Sequence, residues 1–229
     1  MIAPSAKMAA TRREGDLPPR ERILAAARAL FYRRGIHVVG VDAIAEAAGT
    51  NKMTLYRHFS SKDVLIAACL RELTREFDDA WDTIAAAHAG DPKGQLLAWL
   101  RHVCDFKENE AERGCALANA AIELPDKDHP ARRVIREHKT ALRERLIRLC
   151  RDARLADPER LADEIFLIWE GARVTAQSVG SQGLSSRLAE MLEALVADHA
   201  RRGKRDELHG QARAGVDRGV MLAEQGPNS

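Results

Sequence analysis

Aromatic residues are scarce in this 229-residue chain, at 4% of the total: three Trp, two Tyr and five Phe. No stretch approaches the roughly 18 uninterrupted apolar residues of a membrane-spanning helix, so no membrane partner is expected. The first residues, MIAPSAKMAATRREGDLPPR, lack the apolar core of a signal peptide, which makes the cytoplasm the expected location. Cysteines are few and scattered. Cys69, Cys104, Cys115 and Cys150 form no CxxC pair, which argues against a disulfide framework or a zinc ribbon and fits reduced thiols. His102 and His138 stand alone without metal-ligand spacing, so no metal or cofactor is expected. A nucleophile elbow, a Gly-rich phosphate loop and a paired-acid arrangement are all missing, and with them any sign of an enzyme.

What the chain does contain favours helices. It is 45% hydrophobic and rich in Ala, Leu, Arg and Glu. Its length allows one large domain or two modest ones. Net charge is only +2, yet residues 1–62 hold eleven Lys or Arg against five Asp or Glu, so the remaining 167 residues sum to −4. Such asymmetry suggests a basic module that meets a polyanion.

Residues 1–19 are polar and Pro-containing and predict a disordered arm. From Arg20 to about Arg34, Ile23, Ala27, Leu30 and Phe31 repeat at helical spacing, and Gly35 ends the pattern at a good C′ position. The segment VDAIAEAAGTNKMTLYRHFSSK, Val41 to Lys62, then reads as two short helices about a tight turn at Gly49. Ile44, Ala45 and Ala48 offer one small apolar face, and Leu55 and Phe59, four apart, dock on it. Such a helix-turn-helix can place its second helix in a DNA major groove. Gly40 caps the first of the pair without a hydroxyl to offer. Ser61 caps a fourth helix whose stripe, Leu65 to Ile84, runs on beyond the small domain.

Further helices follow. One starts at Asp91-Pro92 and runs to about Asn109; a short apolar segment, CALANAAIEL, comes after Gly114; a long charged helix spans Ala131 to about Ala153. Asp157 is expected to cap the next, and SSRLAEMLEALVADHARR is the last clear one. Residues 203–229 lose periodicity and predict a flexible tail. The expected architecture is all-α: a helix-turn-helix DNA-binding domain over 20–66 and a helical ligand-binding and dimerisation bundle over 67–202.

ERILAAARALFYRRGI followed by VDAIAEAAGTNKMTLYRHFSSKDVL resembles the N-terminal domain of the TetR/AcrR transcriptional regulators. The likeness is close over residues 20–70, and beyond them lies mainly in architecture and in RGCALANAAIELPDKDHP. It implies that Thr54, Tyr56, His58 and Lys62 clamp phosphates while Lys52 and Met53 meet bases. The residue chemistry agrees, since lysine reaches guanine O6 or N7 and methionine offers apolar contact to a thymine methyl. Thr50 and Asn51, at the entry to the same helix, complete the candidate DNA surface. Asp42 either accepts from a cytosine N4 or caps its own helix.

A helix-turn-helix this small reads few base pairs, so a palindromic double-stranded operator and a homodimer are expected. Leu161, Ile165, Ile168, Trp169 and Ala172, with Leu188, Leu192 and Leu195, are candidates for the dimer contact, and equally for the monomer's own core. A small-molecule effector would sit among Trp99, Val103, Phe106, Cys115, Asn119, Ile122, Phe166, Trp169, Arg173 and Gln177. The expected function is a ligand-released repressor. A ligand-independent architectural or recruiting protein is the alternative, distinguished by a filled core and a sequence-tolerant footprint.

Overall fold

A computed structural model describes residues 17–105, 114–180 and 187–223, as backbone alone from 206. Among these, every element of any length is an α-helix and no strand occurs. Helix α1, Pro19–Arg34, opens on a proline at its first position and buries Ile23, Leu24, Ala27, Leu30 and Phe31. Gly35 stops it with φ +88°. Two short helices follow, α2 Val41–Ala47 and α3 Lys52–His58.

The turn between them is a Schellman motif. Gly49, at φ +59°, donates to Glu46 O at 3.0 Å, and Thr50 N donates to Ala45 O at 2.9 Å. Ile44, Ala45, Ala48, Leu55 and Phe59 are all buried, so the two faces close on each other as the spacing requires. Gly40 stands at the start of α2 with no side-chain cap.

Helix α4, Lys62–Ala87, begins where Ser61 Oγ accepts from Val64 N at 3.1 Å. A two-pronged ion pair, Arg28 to Glu76 at 2.7 and 2.8 Å, fastens it to α1. Helix α5, Pro92–Cys104, is capped by Asp91, which accepts from Gly94 N at 2.9 Å. The sequence reading carries it to Asn109; it ends five residues earlier, with Asp105 at the C-cap. Then come α6 Ala116–Glu123, α7 Pro130–Asp152, α8 Pro158–Val179 and α9 Leu188–Ala223.

Two expectations need correcting here. Asp157 makes no side-chain cap to α8. It lies in the left-handed region at φ 47°, and its carboxylate faces Arg202 at 3.5 Å. Residues 203–223, expected as a loose tail, continue α9 without a break. Four glycines interrupt the apolar stripe, but each costs a helix only about 1 kcal/mol, and no proline intervenes before Pro227. Of the arm expected over residues 1–19, residues 1–16 lie outside the described residues, as do 224–229, and Pro19 already belongs to α1.

Two hydrophobic clusters form, and the division between them falls beyond residue 66. The first gathers α1 to α3 and the start of α4, and adds Leu117, Ala120 and Leu124 around α6 with Ala131, Val134 and Ile135 of α7. The second unites Trp81, Leu96, Trp99, Leu142, Leu146, Leu161, Ile165, Trp169, Leu188 and Leu192 from α4, α5, α7, α8 and α9. The helix-turn-helix therefore rests on α6 and α7 as well as on α4.

Candidate nucleic-acid interface and the helices behind it

With Leu55 fully buried and Phe59 nearly so, geometry decides which residues of α3 face outward. Met53 is 81% exposed and Tyr56 41%. Lys52, Arg57 and His58 are exposed as well. Asn51 uses its Oδ1 to cap α3, accepting from Thr54 N at 2.9 Å, so its acceptor serves the helix as well as the surface. Thr50 and Thr54 are half-buried, and Thr54 Oγ1 accepts from Arg57 at 3.3 Å.

Lys52 Nζ lies 3.2 Å from Asp42 Oδ2, joining the two helices of the motif across its outer side. Lys62 is placed differently from the other candidates. Its Nζ donates to Ile36 O at 2.7 Å and stands 6.0 Å from the Phe31 ring centre, so its charge braces the α1–α2 turn. Sequence reasoning missed Arg57. Its position one turn below Met53 and beside Tyr56 carried the signal.

The structure draws several pocket candidates together and separates others. Trp99 packs edge-on to Phe77 at 4.7 Å and to Trp81 at 4.8 Å. Trp169 lies 6.0 Å from Phe77 and 6.4 Å from Phe166, and its Nε1 donates to Val103 O at 3.3 Å. Arg173, buried on α8, donates to Gly114 O at 3.0 Å and stacks 5.5 Å from Trp169. Cys115 lies 3.9 Å from Lys139 Nζ. Asn119 is half-buried and Gln177 exposed, though Gln177 Oε1 lies against Gly114. Ile122 points into solvent at 80% exposure and leaves the proposed wall; α6 turns Leu117 and Ala120 inward in its place. Phe106 lies outside the described residues.

Three groups in this region were not among the candidates. Lys139 pairs with Glu170 and stands 5.4 and 5.3 Å from the Phe166 and Trp169 rings. His138 packs edge-on to Phe77 at 4.9 Å, and burial pushes its pKa down to about 4. Their sequence signal was position: His138 falls on the buried stripe of α7 between Ile135 and Leu142, where an apolar residue is the norm. Burial also pushes the Cys69, Cys104 and Cys150 thiols up to about 12, which keeps them protonated.

The dimer candidates divide as well. Leu161, Ile165, Trp169, Leu188 and Leu192 are buried within the monomer, and Ile168, Ala172 and Leu195 pack against them. The exposed apolar residues of α8 are instead Leu167, Val174 and Val179. Among the described residues no helix is long and apolar enough to cross a membrane.

Comparison with known proteins joins the two halves. Residues 23–69 match the model for bacterial regulatory proteins of the tetR family, and residues 92–192 match a tetracyclin repressor-like C-terminal domain. A TetR-family transcriptional regulator from Streptomyces coelicolor superposes with a TM-score of 0.72 at 28% identity, over 79% of this chain and 95% of its own. A second solved structure, described as a putative TetR transcriptional regulator from Streptomyces avermitilis, gives 0.64 at 32% identity, covering 80% and 99%. The transcriptional activator FasR of Mycolicibacterium smegmatis is 37% identical over 106 residues, 44% of this chain and 47% of FasR. UidR of Escherichia coli, a transcriptional regulator, is 43% identical over 86 residues, 37% of this chain and 44% of UidR. The chain thus spans about half the length of these two curated relatives. With both domains matched in order, and α3 presenting Lys52, Met53 and Tyr56 outward, this chain belongs to the TetR family of transcriptional regulators.

Proposed function

We propose that the protein is a cytoplasmic homodimeric repressor that holds a palindromic operator and leaves it when a small molecule binds among α5, α6, α7 and α8. The observation that carries the effector reading is the charged group inside the C-terminal helices. Arg173, Lys139 and Glu170 gather against the rings of Phe166 and Trp169. Of the three only Arg173 is buried, and taking its charge out of water costs on the order of several kcal/mol, while the part-exposed Lys139 and Glu170 carry less of that cost. A ligand with an aromatic or apolar body and one polar end matches that lining.

Two copies are favoured by α8. Leu167 and Val174, seven apart, lie on one helical face at 70% and 59% exposure, and Gly171 between them leaves open space for a close approach. Residues 167 and 174 thus replace the buried leucines as the expected contact.

Release follows if the effector prefers the arrangement in which the two recognition helices no longer match the operator, since equal preference shifts nothing. Activation is the second reading, favoured by the 37% identity to FasR, which is described as an activator.

Selecting bound sequences from a random duplex pool tests the DNA half of the proposal. Two half-sites about 34–36 Å apart are expected. Screening a metabolite collection for loss of that complex tests the other half. An asymmetric single half-site would sink the dimer, and a complex indifferent to every compound, in a protein whose melting none of them shifts, would sink the effector.

A further inference from the structure

We infer that Glu123 is the positioning residue by which the C-terminal domain sets the attitude of the DNA-binding helices. It is the last residue of α6, yet its side chain serves the turn between α1 and α2. Glu123 Oε2 accepts from Ile36 N at 2.5 Å and from His37 N at 3.2 Å. The His37 ring returns the contact, its Nε2 lying 2.5 Å from Glu123 O. Gly35 fits the arrangement: a Cβ there would stand 3.1 Å from Glu123 Oε2, at a φ of +88° that other residues rarely adopt.

The same turn is held from the other side by Lys62, whose Nζ takes Ile36 O. One residue of the turn is thus gripped at both its backbone groups, by α6 through its N–H and by α4 through its carbonyl. A carboxylate accepting from two backbone N–H groups makes stronger bonds than a neutral acceptor would, and these span residues 87 and 86 apart in sequence.

The far end of α6 is tied to the other cluster. Gly114 O accepts from Arg173, and Cys115 lies beside Lys139. A Cβ at Gly114 would meet Gln177 Oε1 at 2.7 Å and Arg173 O at 3.3 Å, so the approach to α8 is close. Between its ends α6 buries Leu117 and Ala120, and Ala121 O accepts from Arg132 of α7 at 2.5 Å. Eight residues make a strut of about 12 Å. Its one end rests beside Arg173 and Lys139, and its other end grips the turn that leads into α2. The anchoring stands on this geometry alone; its use by an effector rests on the function proposed above.

The test compares Glu123→Leu, which keeps size but loses the acceptor, with Glu123→Gln, which keeps an acceptor oxygen. Hydrogen–deuterium exchange on the full chain should show the Ile36 and His37 amides exchanging about tenfold faster or more in the Leu variant, with the amides of α8 unchanged. Binding is read on a duplex with two half-sites, taken from the random-pool selection with wild-type protein, and on a duplex with one. The Leu variant should lose about tenfold on the first and little on the second, because a loosened domain still reads its half-site but is no longer held at the spacing of the pair. Glu123→Gln should stay near wild type in both. Glu123→Asp, which retracts the carboxylate by one methylene, provides the same comparison if the Leu variant does not fold.

Unchanged exchange at Ile36 and His37 would overturn the inference. So would an equal loss on both duplexes, which would mean that Glu123 merely supports the small domain's fold. Wild-type protein that bound one and two half-sites alike would refute the dimer and leave the exchange result to decide on Glu123.

Discussion

Lys52 and Asp42 face each other across the helix-turn-helix, Nζ to Oδ2 at 3.2 Å, both largely exposed. The acid of α2 therefore pairs with a side chain expected to read a base. In high dielectric such a pair adds little to stability. Its effect falls on recognition. Lys52→Ala is expected to relax preference at one operator position by about 1–3 kcal/mol. Asp42→Asn should raise affinity for random-sequence DNA, by removing a negative charge near the phosphates, and should narrow the gap to the selected sequence. Titrations with both duplexes measure this; a variant that tightened on both equally would show Asp42 to be an electrostatic bystander.

Lys62 is expected to behave differently from a plain phosphate clamp. Since its Nζ donates to Ile36 O at 2.7 Å from a half-buried position, Lys62→Ala removes a charge-assisted bond within the fold. A loss of about 1–3 kcal/mol in folding stability is expected alongside weaker DNA binding. Lys62→Met, which keeps the stem, should show the same loss. Urea unfolding of the free protein separates the two effects. Full stability in the Ala variant together with a shallower salt dependence of binding would return Lys62 to the role of phosphate contact alone.

His138 makes stability depend on pH. Burial is the main cause of its depressed pKa of about 4; Lys139 and Arg145 push the same way, and Asp78 and Glu170 oppose them. Above its ordinary 6.5 the ring is neutral in folded and unfolded chains alike, so it adds no pH dependence there. Between 6.5 and 4 the unfolded chain takes up a proton that the folded chain refuses, and stability falls as pH falls. From about pH 7 to about pH 5 the loss from this one group is about 2 kcal/mol. His138→Phe should flatten that part of the profile, read as the urea midpoint at the two pH values. A parallel profile would mean that other groups carry the acid sensitivity.

The sequence disclosed those features that depend on local spacing. Leu55 and Phe59 four apart, Gly49 between two short apolar runs, and Ser61 and Asp91 before their helices each state a contact within a few residues, and each is found. Features that join distant segments were not legible. Nothing in Glu123 or Ile36 announces a bond across 87 positions, and nothing in Lys139 names Glu170 as its partner. The buried leucines of α8 illustrate the intermediate case. Periodicity marks Leu161 and Ile165 as facing something apolar, but a helix with a second apolar face cannot reveal which is covered by its own chain. Composition misled at the tail, because glycines that interrupt an apolar stripe read as coil although the backbone there continues as helix to Ala223.

That second face of α8 supplies the most direct test of assembly. Leu167 is 70% exposed, while Leu161 is fully buried six positions earlier. Leu161→Ala should therefore act within the monomer, at about 2–5 kcal/mol of folding stability. Leu167→Arg removes nothing from the core and places a charge at the centre of the expected contact. It should yield monomers in sedimentation equilibrium with a melting curve that no longer depends on protein concentration. Affinity for a single half-site should persist, and the gain from joining two half-sites, about a hundredfold or more, should vanish. A Leu167→Arg protein that remained dimeric would place the interface elsewhere, and Val174→Arg, two turns further along the same face, would then be expected to have no effect either.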